Sequence, residues 1–554
     1  MASIETKPLE GSSLGPEVEV RREEIDGAMT PARRRLSHER LARPVHVVTA
    51  EHLGWYAIAI WAVATRLIAL GARPLDPAPA RIAMLEYALA KDGLVAVFEH
   101  PGVHASWPEI MQAWIFAALG ATDFTSRIVL AVCALILIGA AAAMRPYLGR
   151  AGAMGFAGLL AISPSVAYFS RGGSSVICSM AFMMASVALA FSLKRHRSPV
   201  RAFVLGIAIA LWLSGDPIGY ATLAAAIVAL AFIGLFDLVT VDHRRLRFRI
   251  WWEQRRALVL TTTFVAIFAW VWLTTGVMTH SLSAAIPRDV YAAFKIDAAG
   301  FERSLRMLAP ILGFYEYLIA MLAIVGLIAI VTRGITGAIA RWSIIWAIVS
   351  VGIFLTVGAT GPDAIVAMVI PLAMVAGCGL EWMHDSIRWE AIRIPIAIAA
   401  ALTIYLQVMT NFVYATPDVS EKPWDRHALL FWTAPTTTIE TRRECARAAS
   451  SVTAEASAAM IPAEAPQVAW YLRKFAPTDS RDAANIVVTI PEKTSSAAVG
   501  SASPAQFGFE ESWTPAYDKM RAMDAIQYLF TQRVWNEVQI RDLELVVRRP
   551  SGPP

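Results

Sequence analysis

Between residues 52 and 410 the chain carries eleven apolar stretches, and the connections between them alternate between arginine-rich and arginine-poor. A helix of about 20 apolar residues crosses the hydrocarbon of a bilayer, and most of these stretches approach that length. They lie near 52–71, 125–144, 151–169, 176–193, 201–215, 217–238, 257–277, 306–332, 342–358, 362–380 and 391–410. Basic residues gather in the N-terminal tail (Arg33, Arg34, Arg35, Arg40, Arg43), at Arg145 and Arg150, and from Lys194 to Arg201. They recur between Arg244 and Arg256, at Arg333 and Arg341, and at Arg388 and Arg393. By the positive-inside bias these connections face the cytoplasm, and residues 411–554 lie outside after an odd number of crossings. The expectation is an all-α, multi-pass protein of the plasma membrane, its N-terminus cytoplasmic and its working face outside.

Composition excludes the common alternatives. With 56% apolar residues, 17% charged residues and a mean hydropathy of +0.51, this is not an ordinary soluble globule. The net charge of +5 sits at helix ends, where it sets orientation and meets anionic headgroups, so no nucleic-acid partner is expected. Cys133, Cys178 and Cys378 fall within spans and Cys445 stands alone outside, which predicts no structural disulfide. The first span begins about fifty residues in, so a retained anchor is expected rather than a cleaved leader.

Three regions follow. Residues 1–47 are polar and read as a disordered cytoplasmic tail. Residues 48–410 form the membrane domain, whose longest outer loop, 72–124, holds two short helices at the interface, 80–91 and 107–119. A second outer segment, 278–305, reads as a lid. The span 201–215 ends at Ser214-Gly215-Asp216-Pro217, a carboxylate and two helix breakers at the outer border. Residues 411–554 are of mixed polarity and predict a small α/β domain, with a helix at Gln467–Phe475 and strands at Asn485–Ile490 and Leu543–Arg548.

A set of short motifs carries a family resemblance. They run Arg66-Leu67, Leu70-Gly71-Ala72-Arg73-Pro74-Leu75, Glu99-His100-Pro101 with His104, and Thr122-Asp123-Phe124-Thr125-Ser126-Arg127. Leu148-Gly149-Arg150, Ile162-Ser163-Pro164 and Tyr168-Phe169-Ser170-Arg171 follow, then Phe314-Tyr315-Glu316, Ile370-Pro371-Leu372 with Gly377-Cys378-Gly379-Leu380, and Trp470-Tyr471-Leu472-Arg473. In order and spacing they resemble the GT-C glycosyltransferases, in particular the prokaryotic branch similar to protein O-mannosyltransferases. The resemblance implies a hexosyltransferase that takes sugar from a polyprenyl-phosphate carrier on the outer face. It implies a carboxylate base at the start of the first outer loop and a second acid after the third span. Positive charge or a divalent cation, Mg or Mn, would take up the charge of the departing phosphate.

The chain departs from the family at both acids. After Arg73-Pro74-Leu75 it reads Asp76-Pro77-Ala78-Pro79-Ala80, and the expected base aligns with Ala78. The second acid aligns with Val176 in Gly172–Val176. A methyl or isopropyl group neither accepts a proton nor binds a cation. The surviving acids that could serve as catalytic groups are Asp76, Glu99 and Asp216, although Asp76 reads first as an exposed turn aspartate. His100 and His104 have an i,i+4 spacing suited to two ligands, but Pro101 and Gly102 intervene, so they are assigned to substrate contact or to a solvated loop and no metal ligand is assigned. Arg171, beside two glycines, suits a phosphate or anchors a helix end. Arg66, inside the first span, needs a partner because a charge in the hydrocarbon costs a few kcal/mol. Glu316 and Asp216 are its candidates, in an ion pair or as a polar wall for the lipid phosphate.

Two functions therefore compete. One is an active transferase with a rearranged acid set and a protein, glycan or lipid acceptor. The other is a non-catalytic relative that binds or assembles partners in envelope glycan or lipid-carrier handling. A transporter is disfavoured by the sparse intramembrane charge and the lack of inverted repeats.

Overall fold

The computed structural model describes the chain apart from residues 1–48, 93–105, 241–243, 276–289, 292–293, 295–297, 333–337, 357–361, 387–389, 414–434, 453–457, 492–504, 532 and 549–554. The expected tail (1–47), the loop residues Glu99, His100 and His104, and most of the expected lid thus lie outside the described residues. The chain divides into two compact units, residues 1–56 and 57–554. In the first, the Thr49 hydroxyl pairs with His52 Nδ1 at 2.9 Å as the first helix opens.

Helices dominate because long apolar runs satisfy their own backbone polar groups only in that form. In chain order they are α1 (Ala50–Leu67), α2 (Pro77–Asp92), α3 (Trp107–Leu119), α4 (Ile128–Ala142), α5 (Arg150–Ile162), α6 (Pro164–Gly172) and α7 (Val176–Arg195). Next come α8 (Pro199–Gly215), α9 (Ile218–Thr240), α10 (Arg244–Thr274), α11 (Ala298–Phe314), α12 (Tyr317–Thr332), α13 (Ala338–Thr356), α14 (Ile365–Ser386) and α15 (Glu390–Val408). Among the described residues, five segments are long and apolar enough to cross a membrane: Thr125–Leu148, Val176–Arg195, Trp252–Thr274, Ile365–Ser386 and Ile394–Phe412. Two bent pairs, α5 with α6 and α11 with α12, raise the number to seven. The remaining apolar helices are shorter or less apolar.

The bends correct two expected spans. The stretch 151–169 turns by 50° where the Ser163 hydroxyl accepts from the Val166 amide and Pro164 opens a new helix. The stretch 306–332 is no single straight span, for it turns by 93° between Phe314 and Tyr317. The polar Glu316 sits at that break, and its carboxylate is held by Ser163 and Ser165 of the other bend. Backbones approach closely around α14: a Cβ on Gly326 would lie 2.1 Å from the Val375 carbonyl oxygen, and one on Gly377 2.7 Å from that of Gly152. Small residues let apolar helices pack where no hydrophobic gain separates protein from lipid.

The C-terminal region is a six-stranded mixed sheet, β1 (Thr436–Thr437), β2 (Ala458–Met460), β3 (Ala476–Pro477), β4 (Ala484–Thr489), β5 (Ala505–Ser512) and β6 (Gln539–Val547), in the order β1-β5-β6-β4-β2-β3. Its pairs are antiparallel from β1 through β4 and parallel among β4, β2 and β3. Three helices accompany it: α16 (Ile439–Ser450), α17 (Pro466–Tyr471) and α18 (Ala522–Thr531). Alternate residues of β4 enter different clusters: Ile486 and Val488 meet Cys445, Val468 and Phe509, while Ala484 and Val487 meet Val546. The expected strands are present, β6 beginning four residues earlier than expected. The helix expected over 467–475 stops at Tyr471.

Candidate functional site

The site is built on the turn that follows α1. Helix α1 leaves its last carbonyls unpaired, and Ala69 adopts a left-handed φ of 51° that lets the chain leave the helix axis. Two arginines, Arg171 and Arg127, cover the carbonyls around this turn, and Arg66 reaches from it to those at the end of α5. Arg66, fully buried, donates to the Thr65 hydroxyl at 2.7 Å and to the Ala161 and Leu160 carbonyls at 2.6 and 3.0 Å. Arg171 donates to the carbonyls of Thr65, Ile68 and Ala69 at 2.8–2.9 Å. Arg127 donates to those of Leu70, Arg73 and Pro74 at 3.0, 2.6 and 2.8 Å. A helix C-terminus is the negative end of its dipole, so each guanidinium meets a ready acceptor.

This overturns the expected ion pair. Arg66 meets neither Glu316 nor Asp216. Glu316 Oε1 accepts from the Ser163 hydroxyl at 2.6 Å and the Ser165 amide at 3.0 Å. Asp216 accepts from the Ser175 hydroxyl at 2.5 Å and caps α9 through the Ile218 amide at 2.9 Å. Two backbone carbonyls and the Thr65 hydroxyl take the terminal nitrogens of the buried arginine without the cost of desolvating a second charge.

The same turn joins the sheet domain. Asp76 binds Arg73 at 2.8 Å through one oxygen and accepts the Thr437 amide at 3.1 Å through the other. Asp123 accepts from Trp470 Nε1 at 2.8 Å and the Tyr471 hydroxyl at 3.1 Å, with Arg442 at 3.5 Å. Arg442 also donates to the Gly71 and Ala72 carbonyls, and Trp470 packs on Phe116 with ring centroids 5.7 Å apart. Asp123 and burial together hold the Tyr471 hydroxyl above its ordinary pKa, burial contributing most. The motif residues Asp123, Arg127, Trp470 and Tyr471 are thus the joint between loop and domain.

Two pockets flank the turn. One, with about 430 Å³ of empty volume between α2, α3, α4 and the start of α7, is lined by Glu86, Glu109, Gln112, Ser126, Gly173 and Ser175 among apolar residues. Glu86 is 7% exposed and makes no hydrogen bond to a described residue. Burial, then the charge of Glu109, pushes its carboxyl well above the usual carboxylate range. The Ser106 hydroxyl donates to Glu109. Gln112 gives its amide to the Thr125 carbonyl, and its buried Oε1 has no partner. Behind the pocket, Ser175 leads to Asp216 and Ser174 to Asp363, at 2.5 and 2.6 Å. Burial, followed by the charge of Asp363, raises Asp216 to about 7.

The second pocket, about 260 Å³, is lined by Leu70, Arg73, Tyr168, Arg171, Gly172, Thr410 and Asn411. It is cationic. Arg73 lies 5.0 Å over the Tyr168 ring and Arg171 4.6 Å over Phe412, and the buried Thr410 hydroxyl has no partner. Residues 171–175 separate the two pockets: Arg171 and Gly172 line the cationic one, Gly173 and Ser175 the acidic one. Gly173 has a φ of 97°, and a Cβ there would lie 2.8 Å from Pro79, so the turns at 76–79 and 172–176 abut. The two positions where the family places acids are therefore neighbours. Here Ala78 is exposed and Val176 is buried.

The fold gathers Asp216, Arg171 and their surroundings, leaves Asp76 in the joint, and places Arg66 and Glu316 deeper in the helices. Glu86, Glu109 and Gln112 were missed by sequence reasoning. Among the described residues, no three His, Cys, Asp or Glu side chains converge on a point that could hold a metal ion.

No family model and no curated protein matches the chain. Solved structures do. ArnT from Cupriavidus metallidurans, bound to undecaprenyl phosphate, superposes with a TM-score of 0.53 at 14% identity, over 90% of this chain and 99% of that one. Its apo state gives 0.50 at 14% identity over 91% and 99%. The likeness covers nine-tenths of this chain, helical region and sheet domain together, and the chain shares the fold of those structures.

Proposed function

We propose that the protein takes a sugar from a polyprenyl-phosphate carrier at the outer face of the plasma membrane and passes it to a hydroxyl acceptor on a protein, glycan or lipid. The observation that carries the reading is the meeting of a cationic and an acid-lined pocket across residues 171–175. Arg73 and Arg171 face the carrier phosphate, for which a guanidinium offers matched donors. Glu109 takes the acceptor proton as that oxygen bonds to the sugar carbon, and the bond from this carbon to the phosphate oxygen breaks. The negative charge released passes to the phosphate and is met by the arginines. Burial, then the charge of Glu109, favours the protonated form of Glu86, which in that form donates a hydrogen bond. The described residues do not supply a ligand set for Mg or Mn, and no step is routed through a metal.

The reading takes its orientation from the positive-inside bias of the sequence, which assigns the arginine-rich connections to the cytoplasm and residues 411–554 to the outer face. A second reading, a non-catalytic binding or assembly subunit, is favoured by Ala78 and Val176 and by the full engagement of Asp76 in the joint.

The test is binding of undecaprenyl phosphate to the full chain in nanodiscs. The wild type should bind, and Arg73→Gln should weaken binding about tenfold or more, equivalent to about 1.4 kcal/mol. Absence of binding by the wild type would remove the carrier from the account.

A further inference from the structure

We infer that α18 of the sheet domain is an interfacial helix whose Met523–Ile526–Phe530 face lies in the lipid of the membrane border. These residues recur at i, i+3 and i+7, on one side of the helix, and are 62%, 51% and 48% exposed. The other side is fixed. Tyr528 is fully buried, its hydroxyl 2.6 Å from that of Tyr315, among Phe314, Trp513 and Trp535. The helix therefore cannot roll its apolar face inward without breaking this cluster.

What covers the face is given by its neighbour. The α15 helix belongs to a segment apolar and long enough to cross a membrane, and its exposed residues Ile394, Ile398 and Tyr405 share one side. Tyr405 lies three residues, about 4.5 Å, before the end of that helix. Its hydroxyl donates to the Phe530 carbonyl at 2.6 Å. The crossing segment runs on to Phe412, so the C-terminal end of α18 sits seven residues, about 10 Å, inside the end of that segment. Exposed Lys519, Arg521 and Arg533 flank the helix, where long cationic side chains reach headgroups. Apolar stripe, basic flanks and depth together describe a helix lying in the interface plane. The inference depends on the membrane crossing by α15 and not on sugar transfer.

Single nitroxide labels at 523, 526 and 530 in the full chain, with native cysteines replaced by alanine, test it in nanodiscs. Ile398 serves as the lipid reference and the fully exposed Asp482 as the aqueous one. Collisions with oxygen should exceed those with a nickel chelate at all three sites, as at Ile398. Aqueous behaviour like that of Asp482 would overturn the inference. So would protection from both reagents, the mark of a second copy or another protein on this face. A photo-crosslinking residue at 526, in protein that keeps its cysteines, should yield lipid adducts, and adducts to protein alone would likewise overturn it.

Discussion

Asp123 and Glu86 are comparably buried carboxylates in the same loop region, and they live in opposite surroundings. Asp123 accepts from Trp470 and Tyr471 and lies 3.5 Å from Arg442. Glu86 has a like charge for a neighbour and no described hydrogen-bond partner. A buried polar group costs stability unless it is paired, so a chain that satisfies one and leaves the other open is using them differently. The Asp123 carboxylate is matched from within the joint by two donors and a cation, as a structural contact should be. The pocket keeps Glu86 and the Gln112 oxygen unmatched, where a ligand rich in donors would complete them.

Substitutions can break this contrast. Asp123→Ala strips a buried partner from two donors and a cation, and should cost about 3–5 kcal/mol, read as a lower unfolding midpoint and earlier proteolysis of the sheet domain. Glu109→Gln should lower sugar transfer about 100-fold or more, about 2.7 kcal/mol in barrier, with the unfolding midpoint little changed. Glu86→Gln should be near neutral for stability at low pH and should stabilise as pH rises. The sign follows from the raised carboxyl: the folded state holds a proton that the unfolded state releases above about pH 4.3, so wild-type stability falls from there up to the folded pKa. Asp216, raised to about 7, adds a fall that persists up to neutrality. A chemical-denaturation series from pH 4 to pH 8 would check both, and parallel curves for wild type and Glu86→Gln would contradict the buried, protonated Glu86. Arg306→Ala, which removes an exposed i,i+4 pair with Glu302, should change stability by no more than about 0.5 kcal/mol.

Much of the architecture was legible because periodicity records burial. The helices expected at 80–91 and 107–119 and the strands expected at 485–490 and 543–548 follow from apolar spacing, and the observed elements overlap each of them. The break at Phe314–Tyr317 was not, since hydropathy runs unbroken through a 93° turn, and only Pro310 and the polar Glu316 mark it. Helices α16 and α18 and strand β5 escaped because their mixed faces are set by docking. The partners of Arg66, Arg127 and Arg171 were beyond reach for a simple reason: they are backbone carbonyls, which every sequence carries. Motif order found the joint, whose residues are large and polar. It passed over Glu109 and Gln112, which acquire meaning only when α2 and α3 close on Gly173.

The most direct test of the central claim is sugar release and transfer by the purified full chain in nanodiscs, with a panel of radiolabelled polyprenyl-phosphate sugars. The account predicts turnover of at least one donor by the wild type, lost in Glu109→Gln while undecaprenyl phosphate binding is kept. Carrier binding without turnover of any donor would contradict the transferase reading and leave the protein a carrier-binding subunit.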